Sequence, residues 1–288
     1  MLRQLFIYFF LFLSVTFAGD KITIAYYISA IQDTSIKDKK ISLEYWVQEL
    51  GNSIDLKVSA RYYKDIHKFK KDFEEGKIDM IVATAVTFAK YFDPEKFETG
   101  FIAKQSDNND ELVLITSNTS GIKTLKDLRG KKLSILKSDV FAKIYFDMFL
   151  LKKFHLNSER FFSRIIKTNK RSVNVLKVFF KKADAALVTA KVYKISSELN
   201  PQIRQKTKIL KTFSLNVASP TYFRKGLDPK IIQKIKKEVF RLSTYPRGKE
   251  ILTVFKADRM VECSTEYIYM AKNIYQTYRK LINKYKGK

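Results

Sequence analysis

Short apolar runs rich in β-branched residues alternate along this chain with longer segments of helical periodicity. In the first part of the chain the predicted strands are residues 22–26, 56–60 and 78–82, and the predicted helices are residues 42–50 and 65–75. Gly51 and Gly76 are placed to end these two helices, since glycine is favoured just past a helix C-terminus. This alternation predicts an α/β unit with a mostly parallel sheet flanked by helices.

A second unit with the same alternation follows. Its predicted strands are residues 112–115, 133–136, 185–188 and 208–213, and its predicted helices are residues 139–154 and 172–182. Asn200 and Pro201 predict a turn. Residues 229–242 and 265–285 predict two amphipathic helices near the end of the chain.

The order of these units predicts two lobes joined by two chain crossings, near residues 111–115 and 213–219. We expect lobe I to comprise residues 19–112 and 217–288, and lobe II to comprise residues 113–216. Two lobes connected by two short strands form a hinge. A small ligand is then expected in the cleft between the lobes.

The first 18 residues have the pattern of a cleavable signal peptide. Arg3 gives a positive start, residues 5–17 are almost entirely apolar, and Thr16 and Ala18 form a small-x-small cleavage site. An uncleaved membrane anchor is the alternative, although a spanning helix needs about 20 apolar residues. We therefore expect export to the periplasm and removal of residues 1–18.

The cysteine content and the charge narrow the class of protein further. With Cys263 as its single cysteine, the chain cannot form an intrachain disulfide, which fits a bacterial periplasm better than an animal extracellular space. The formal net charge is +26, from 55 Lys+Arg against 29 Asp+Glu. The lysines are spread along the whole chain and form no basic stripe interleaved with aromatic residues. We expect no nucleic-acid partner and interpret the charge as a solvated surface that attracts small anions.

Six segments carry a family resemblance. They are GKIDMI at 76–81, LKDLRGK at 125–131, ADAALV at 183–188, NPQI at 200–203, TYFRKGLDP at 221–229 and YPRGKEI at 245–251. In this order they resemble the periplasmic binding proteins of the phosphate/phosphite/phosphonate transporter family. The resemblance implies a type 2 periplasmic binding fold with a two-strand hinge. It also implies that the protein delivers a small ligand to an inner-membrane ABC permease.

Hydroxyl side chains follow several of the predicted strands. Tyr27 follows the first strand, and Thr84 and Thr87 follow the third. Ser138 and Thr189 follow two strands of the second unit. Ligands of open α/β sheets bind beyond the carboxyl ends of the strands, and hydroxyl groups are suitable uncharged donors to an oxyanion. The alternative is that these side chains only cap turns and helices.

Two charged residues modify this predicted anion site. Asp139 lies where members of the resembled family carry a Ser/Thr-rich, glycine-containing turn, so its carboxylate opposes an anionic ligand unless it caps the following helix. Arg171 lies near a histidine of that family and could bind a phosphate through two hydrogen bonds, unless it is an exposed helix residue. Phe88 replaces a tyrosine that is common in phosphonate-binding members. A zwitterionic ligand would satisfy both Asp139 and Arg171.

The sequence favours no enzyme and no bound metal or cofactor. His67 and His155 lie in separate lysine-rich segments, and phosphate-binding, dinucleotide-binding and nucleophile-elbow motifs are absent from the sequence. We therefore expect no catalytic residue and a monomeric binding protein. The alternative function is a ligand-sensing or scaffold module of the same fold that docks on a membrane sensor kinase.

Overall fold

A computed structural model of the protein describes residues 21–27, 36–104, 111–214, 220–254 and 257–286. The strands are β1 (Lys21–Tyr27), β2 (Lys57–Tyr63), β3 (Met80–Val82), β4 (Gly100–Lys104), β5 (Leu112–Ser117), β6 (Lys132–Leu136), β7 (Arg164–Thr168), β8 (Ala185–Thr189), β9 (Thr207–Phe213), β10 (Thr221–Phe223) and β11 (Arg259–Cys263). The helices are α1 (Ile36–Ile54), α2 (Ile66–Glu74), α3 (Ala85–Tyr91), α4 (Val140–Phe154), α5 (Ser158–Phe161), α6 (Arg171–Phe179), α7 (Ala190–Leu199), α8 (Pro201–Lys206), α9 (Pro229–Phe240), α10 (Pro246–Val254) and α11 (Glu266–Lys284). Within these ranges, none of the helices has both the length and the apolar character needed to cross a bilayer.

The strands form two separate sheets. The first sheet has the order β11-β4-β10-β3-β1-β2, and the second has the order β7-β6-β8-β5-β9. In the first sheet β1, β2, β3 and β4 point the same way while β10 and β11 oppose them. In the second sheet β6, β7, β8 and β9 point the same way while β5 opposes them. The predicted α/β architecture with two sheets is confirmed, and the strand pairing is mixed.

The chain crossings explain why particular strands are reversed. The chain leaves the first sheet at the carboxyl end of β4, and after seven intervening residues β5 begins antiparallel to its neighbour β8. It leaves the second sheet at the carboxyl end of β9, and after seven intervening residues β10 begins antiparallel to β3. Each crossing is short, so the carboxyl ends of the parallel strands in the two sheets face the same crossing region. Of the two predicted crossings, the one near residues 111–115 falls mostly on β5, and the one near residues 213–219 lies mostly outside the described part of the chain.

Apolar clusters cover both faces of each sheet. One cluster on the first sheet includes Trp46 of α1, and another includes Phe69 of α2. On the second sheet, α6 and α8 cover one face. The other face belongs to a larger cluster that contains α4 together with Ala85 of α3 and Ala271 of α11. Helix α11 contacts both α3 and α4, so the end of the chain packs against helices from both sheets.

Two local predictions are wrong. Gly51 does not end the first helix, because α1 continues to Ile54. A Cβ on residue 51 would lie 2.8 Å from the carbonyl oxygen of Leu56, so glycine is needed for the close approach of the chain that follows α1. Asn200 and Pro201 do not form a simple turn. The Asn200 side chain accepts a hydrogen bond from the Gln202 N–H (3.1 Å) and begins α8, with proline at its first position.

The other predicted helices and strands are present with boundaries shifted by a few residues. The sequence did not predict β4, β7, β10, β11, α3, α5, α7, α8 or α10. The predicted signal peptide, residues 1–18, lies outside the described residues.

Candidate ligand-binding site

The predicted site residues follow strands that end at the carboxyl edges of the two sheets. In the first sheet, Tyr27 ends β1 and Thr84 lies between β3 and α3. In the second sheet, Ser138 lies between β6 and α4, and Thr189 ends β8 and begins α7. The parallel strands therefore present these side chains at the two edges that face the chain crossings.

Thr84 and Thr87 form one local unit at the start of α3. The Thr84 Oγ1 accepts a hydrogen bond from the Thr87 N–H (3.2 Å), and the two hydroxyl oxygens are 2.9 Å apart. Thr87 is buried, whereas Thr84 is half-buried and remains accessible. Thr84 therefore caps the helix and can also contact a ligand, while the hydroxyl of the buried Thr87 is hydrogen-bonded to the Thr84 hydroxyl.

Asp139 and Arg171 contact each other, which places a carboxylate and a guanidinium in the same part of the site. The Arg171 Nη2 is 3.5 Å from the Asp139 Oδ2, and the two side chains are 29% and 11% exposed. Strand pairing explains the contact, because Leu136 is opposite Thr168 in the β6–β7 register, and Asp139 and Arg171 each lie three residues further on. The site thus contains opposite charges that partly neutralise each other.

This contact corrects the two alternative interpretations. Asp139 occupies the position before α4, but its side chain makes no capping hydrogen bond to the helix. Arg171 is the first residue of α6 and is more than two-thirds buried, so it is not a fully exposed helix residue. The half-buried Ser138 lies beside this pair in the chain, and its carbonyl oxygen accepts a hydrogen bond from the Val140 N–H (3.0 Å).

Tyr27 provides a neutral phenol at the edge of the first sheet. Its ring stacks on Phe69, with ring centroids 5.7 Å apart and planes 7° from parallel. Partial burial raises the pKa of the Tyr27 hydroxyl, and the nearby Tyr91 and Asp65 raise it further. The hydroxyl therefore stays protonated at neutral pH and can donate a hydrogen bond.

Thr189 begins α7 in the way that Thr84 begins α3. Its Oγ1 accepts a hydrogen bond from the Val192 N–H (3.4 Å), and the residue is half-buried. Thr189 is opposite Leu112 in the pairing of β8 with β5, so it lies where the chain enters the second sheet. Its hydroxyl has both a capping role and access to the crossing region.

The structure also locates residues that the sequence flagged for other reasons. Phe88 is fully buried and packs edge-on against Tyr222 (5.2 Å between ring centroids), so it belongs to the core of the first sheet. His155 ends α4 and stacks on Tyr285, and His67 lies in the first turn of α2. In the described ranges there is no group of three or more His, Cys, Asp and Glu side chains that could hold a metal ion.

Sequence reasoning missed a buried polar group behind the charged pair. Asn174, on α6, is fully buried, and its Oδ1 accepts hydrogen bonds from the hydroxyls of Ser134 (2.7 Å) and Thr168 (2.8 Å). These bonds attach the first turns of α6 to β6 and β7 and therefore set the position of Arg171. The sequence signal is weak, since it consists of one polar residue on the helix side that faces the sheet.

Two α/β units whose parallel strands end toward a shared crossing region define a two-lobed solute-binding protein of the type 2 periplasmic binding fold. A family model described as "ABC transporter, phosphonate, periplasmic substrate-binding protein" matches residues 37–267. The chain belongs to this family. This family consists of substrate-binding proteins of ABC transporters and is not a class of enzymes. The membership confirms the predicted function of a transporter binding protein, and it does not favour the alternative of a sensor module.

Solved structures show the same fold. A binding protein component of an ABC phosphonate transporter from Pseudomonas aeruginosa is 14% identical with a TM-score of 0.62, covering 93% of this chain and 89% of that one. PhnD1 from Prochlorococcus marinus in complex with methylphosphonate is also 14% identical with a TM-score of 0.62, covering 91% and 98%. The aliphatic sulphonate binding protein SsuA from Escherichia coli is 13% identical with a TM-score of 0.52, covering 91% and 88%. No curated protein sequence matches the chain.

Proposed function

We propose that the protein binds a small phosphonate-like zwitterion between its two lobes and delivers it to an inner-membrane permease. The observation that supports this proposal is the contact between Asp139 and Arg171 beyond the ends of β6 and β7. A guanidinium binds an oxyanion through paired hydrogen bonds, and a carboxylate binds an ammonium group. A ligand that carries both groups can engage each partner and replace their mutual contact.

The neutral donors complete the proposed site. Tyr27 and Thr84 would contact the ligand from lobe I, and Ser138 and Thr189 would contact it from lobe II. Thr87 would act through Thr84, with which it shares a hydrogen bond. Contacts from both lobes are made together only in the closed protein, so ligand binding would favour closure.

The proposed lobes are residues 19–112 with 217–288, and residues 113–216. Residues 1–18 act as a signal peptide that is removed on export, and the mature protein works as a monomer in the periplasm. Mass spectrometry of protein recovered from the periplasm tests the cleavage directly, because it should give a mass that begins at Gly19. A mass that retains Met1 in the periplasmic protein would contradict this processing.

A ligand series tests the proposed chemistry. Saturating ligand should raise the melting temperature by mass action. We expect the largest rise for an aminoalkylphosphonate, a smaller rise for methylphosphonate and inorganic phosphate, and the smallest for an alkylamine that lacks a phosphonate group. If none of these compounds changes the melting temperature, the proposed ligand class is wrong.

Substitutions of Arg171 and Asp139 separate binding of the phosphonate group from binding of the ammonium group. Arg171→Gln should weaken binding of all phosphonates by about 10- to 100-fold, which corresponds to about 1.4–2.8 kcal/mol. Asp139→Asn should remove most of the preference for the amino-bearing ligand over methylphosphonate. Arg164→Gln is a matched control, since Arg164 is exposed at the opposite end of β7. An Arg171→Gln protein that binds as tightly as the Arg164→Gln protein would show that the guanidinium does not contact the ligand.

A further inference from the structure

The outer side of α6, α7 and α8 combines exposed apolar side chains with a high density of positive charge. The three helices contact one another and cover one face of the second sheet. Their inward sides supply the apolar cluster under them, so their outward sides form one continuous surface, which we call the α6–α8 face. None of its residues is among the proposed ligand contacts except Arg171, which lies at its edge.

Apolar side chains project from this face at helical spacing. Leu176 and Phe180 lie four residues apart in and just after α6 and are 37% and 59% exposed. Ile195 and Leu199 lie four residues apart on α7 and are 40% and 83% exposed. Single exposed apolar residues are ordinary in soluble proteins, but two such pairs on adjoining helices form an apolar surface that water does not favour.

Positive charge surrounds these apolar residues. Residues 170–206, all of which the structure describes, contain nine Lys+Arg and two Asp+Glu. One of the two acids, Asp184, precedes β8, and its carboxylate accepts a hydrogen bond from the backbone N–H of Lys132 (2.8 Å). This carboxylate therefore lies at the start of the sheet strands and not on the outer side of the helices. The Lys206 ammonium lies 5.3 Å from the centre of the Phe179 ring, and that ring packs edge-on against the exposed Phe180, so a cation lies at the same end of α6 as this exposed ring.

We propose that the α6–α8 face docks on an anionic lipid surface. Apolar side chains that enter the boundary between headgroups and acyl chains, combined with lysines that meet lipid phosphates, are the two components of interfacial membrane binding. Long lysine side chains can place their methylene groups against the apolar boundary while the ammonium group stays in water. The protein would then stay close to the membrane that holds its permease.

The composition of the face favours lipid over a protein partner. Seven of the nine cations between residues 170 and 206 are lysines. Lysine is depleted in protein–protein interfaces, where arginine and aromatic residues are enriched. Of the two arginines, Arg171 already contacts Asp139. A lysine-rich surface with scattered apolar side chains matches a fluid array of phosphate groups, which needs no fixed partner geometry.

The test uses protein purified from the periplasm and its co-sedimentation with vesicles. We expect binding to phosphatidylcholine vesicles that contain phosphatidylglycerol and little binding to pure phosphatidylcholine. Salt at about 1 M should weaken the binding, because it shortens the Debye length to about 3 Å. Wild-type protein that ignores the anionic vesicles at low salt would overturn the proposal.

Two pairs of variants separate this face from the net charge of the protein. Lys181→Glu/Lys182→Glu should lower vesicle binding by at least about 10-fold, since each cation near an anionic surface contributes to the affinity. Lys234→Glu/Lys237→Glu makes the same charge change at exposed positions of α9, over the first sheet, and should lower it far less. Equal losses in the two double variants would mean that overall charge alone drives the association.

The apolar contribution has its own matched pair. Phe180→Ser should weaken vesicle binding, whereas Ile41→Ser, at a 61% exposed position of α1, should leave it unchanged. Melting curves check that all variants remain folded. If Phe180→Ser has no effect, or if the protein binds only vesicles that contain a reconstituted membrane protein, lipid docking through this face is wrong. Failure of the proposed ligand class would leave these measurements unaffected.

Discussion

Asn174 is fully buried on α6, where it joins the helix to two strands of the second sheet. The hydroxyls of Ser134 and Thr168 both donate to its side-chain oxygen. We expect Asn174→Ala to lower the free energy of unfolding by about 1–3 kcal/mol, because Ser134 is buried and loses its acceptor. Urea denaturation measures this loss. Asn273→Ala, at an exposed position of α11, is the control and should cost little; similar losses in both variants would contradict the role given to Asn174.

Because of Cys263, we expect the free energy of unfolding to decrease at alkaline pH. It is buried with its sulfur 3.2 Å from the Tyr222 hydroxyl, and burial raises the pKa of the thiol and also of Tyr222. A raised folded-state pKa means that this stability is fully present below the unfolded thiol pKa of about 8.5 and is lost as pH rises through the folded pKa. Urea denaturation should therefore give a lower free energy of unfolding at about pH 10 than at about pH 8. Cys263→Ala should reduce the difference, and an unchanged difference would assign the effect to other groups.

At the scale of elements, β4 depends on a glycine. A Cβ on Gly100 would overlap the carbonyl of Thr221 in the neighbouring strand β10. We expect Gly100→Ala to cost more than about 2 kcal/mol, because overpacking of this kind forces the two strands apart. Gly226→Ala is the comparison, since its Cβ meets open space and only the positive φ of 82° opposes the change, at about 1–2 kcal/mol. Chemical denaturation ranks the two variants, and a larger loss at Gly226 would refute the steric argument.

The sequence predicted the helices and strands whose apolar residues recur at a regular spacing. It did not predict features that depend on contacts between separate helices and strands. The helix ending near Phe154 and the strand ending at Thr189 follow from apolar periodicity and were predicted closely. The contact of Asp139 with Arg171 needed β7, a short strand without a clear pattern, and its register with β6. The role of Gly51 differs from the predicted one because Leu56, just past the end of α1, folds back close to the Gly51 backbone, and apolar periodicity does not reveal such an approach.

At the scale of the whole molecule, α11 belongs to the proposed lobe I and also contacts the other lobe. It packs on α3, which follows a strand of the first sheet, and on α4, which follows a strand of the second. Ala85, Phe141 and Ala271, from these three helices, belong to one apolar cluster. Any movement of the lobes about the crossings must therefore slide α11 against at least one of these helices, so closure involves side-chain packing as well as the crossing strands.

This packing predicts that the two lobes unfold together. Ala271 is fully buried where α11 packs against α3 and α4, so wild-type protein should show a single cooperative calorimetric transition. Ala271→Trp should lower stability by about 1–3 kcal/mol through overpacking and separate the unfolding of the lobes into two transitions. Asn273→Trp, two residues further along and exposed, should keep the single transition. If wild-type protein already unfolds in two independent steps, α11 does not couple the lobes, and the crossings alone hold them together.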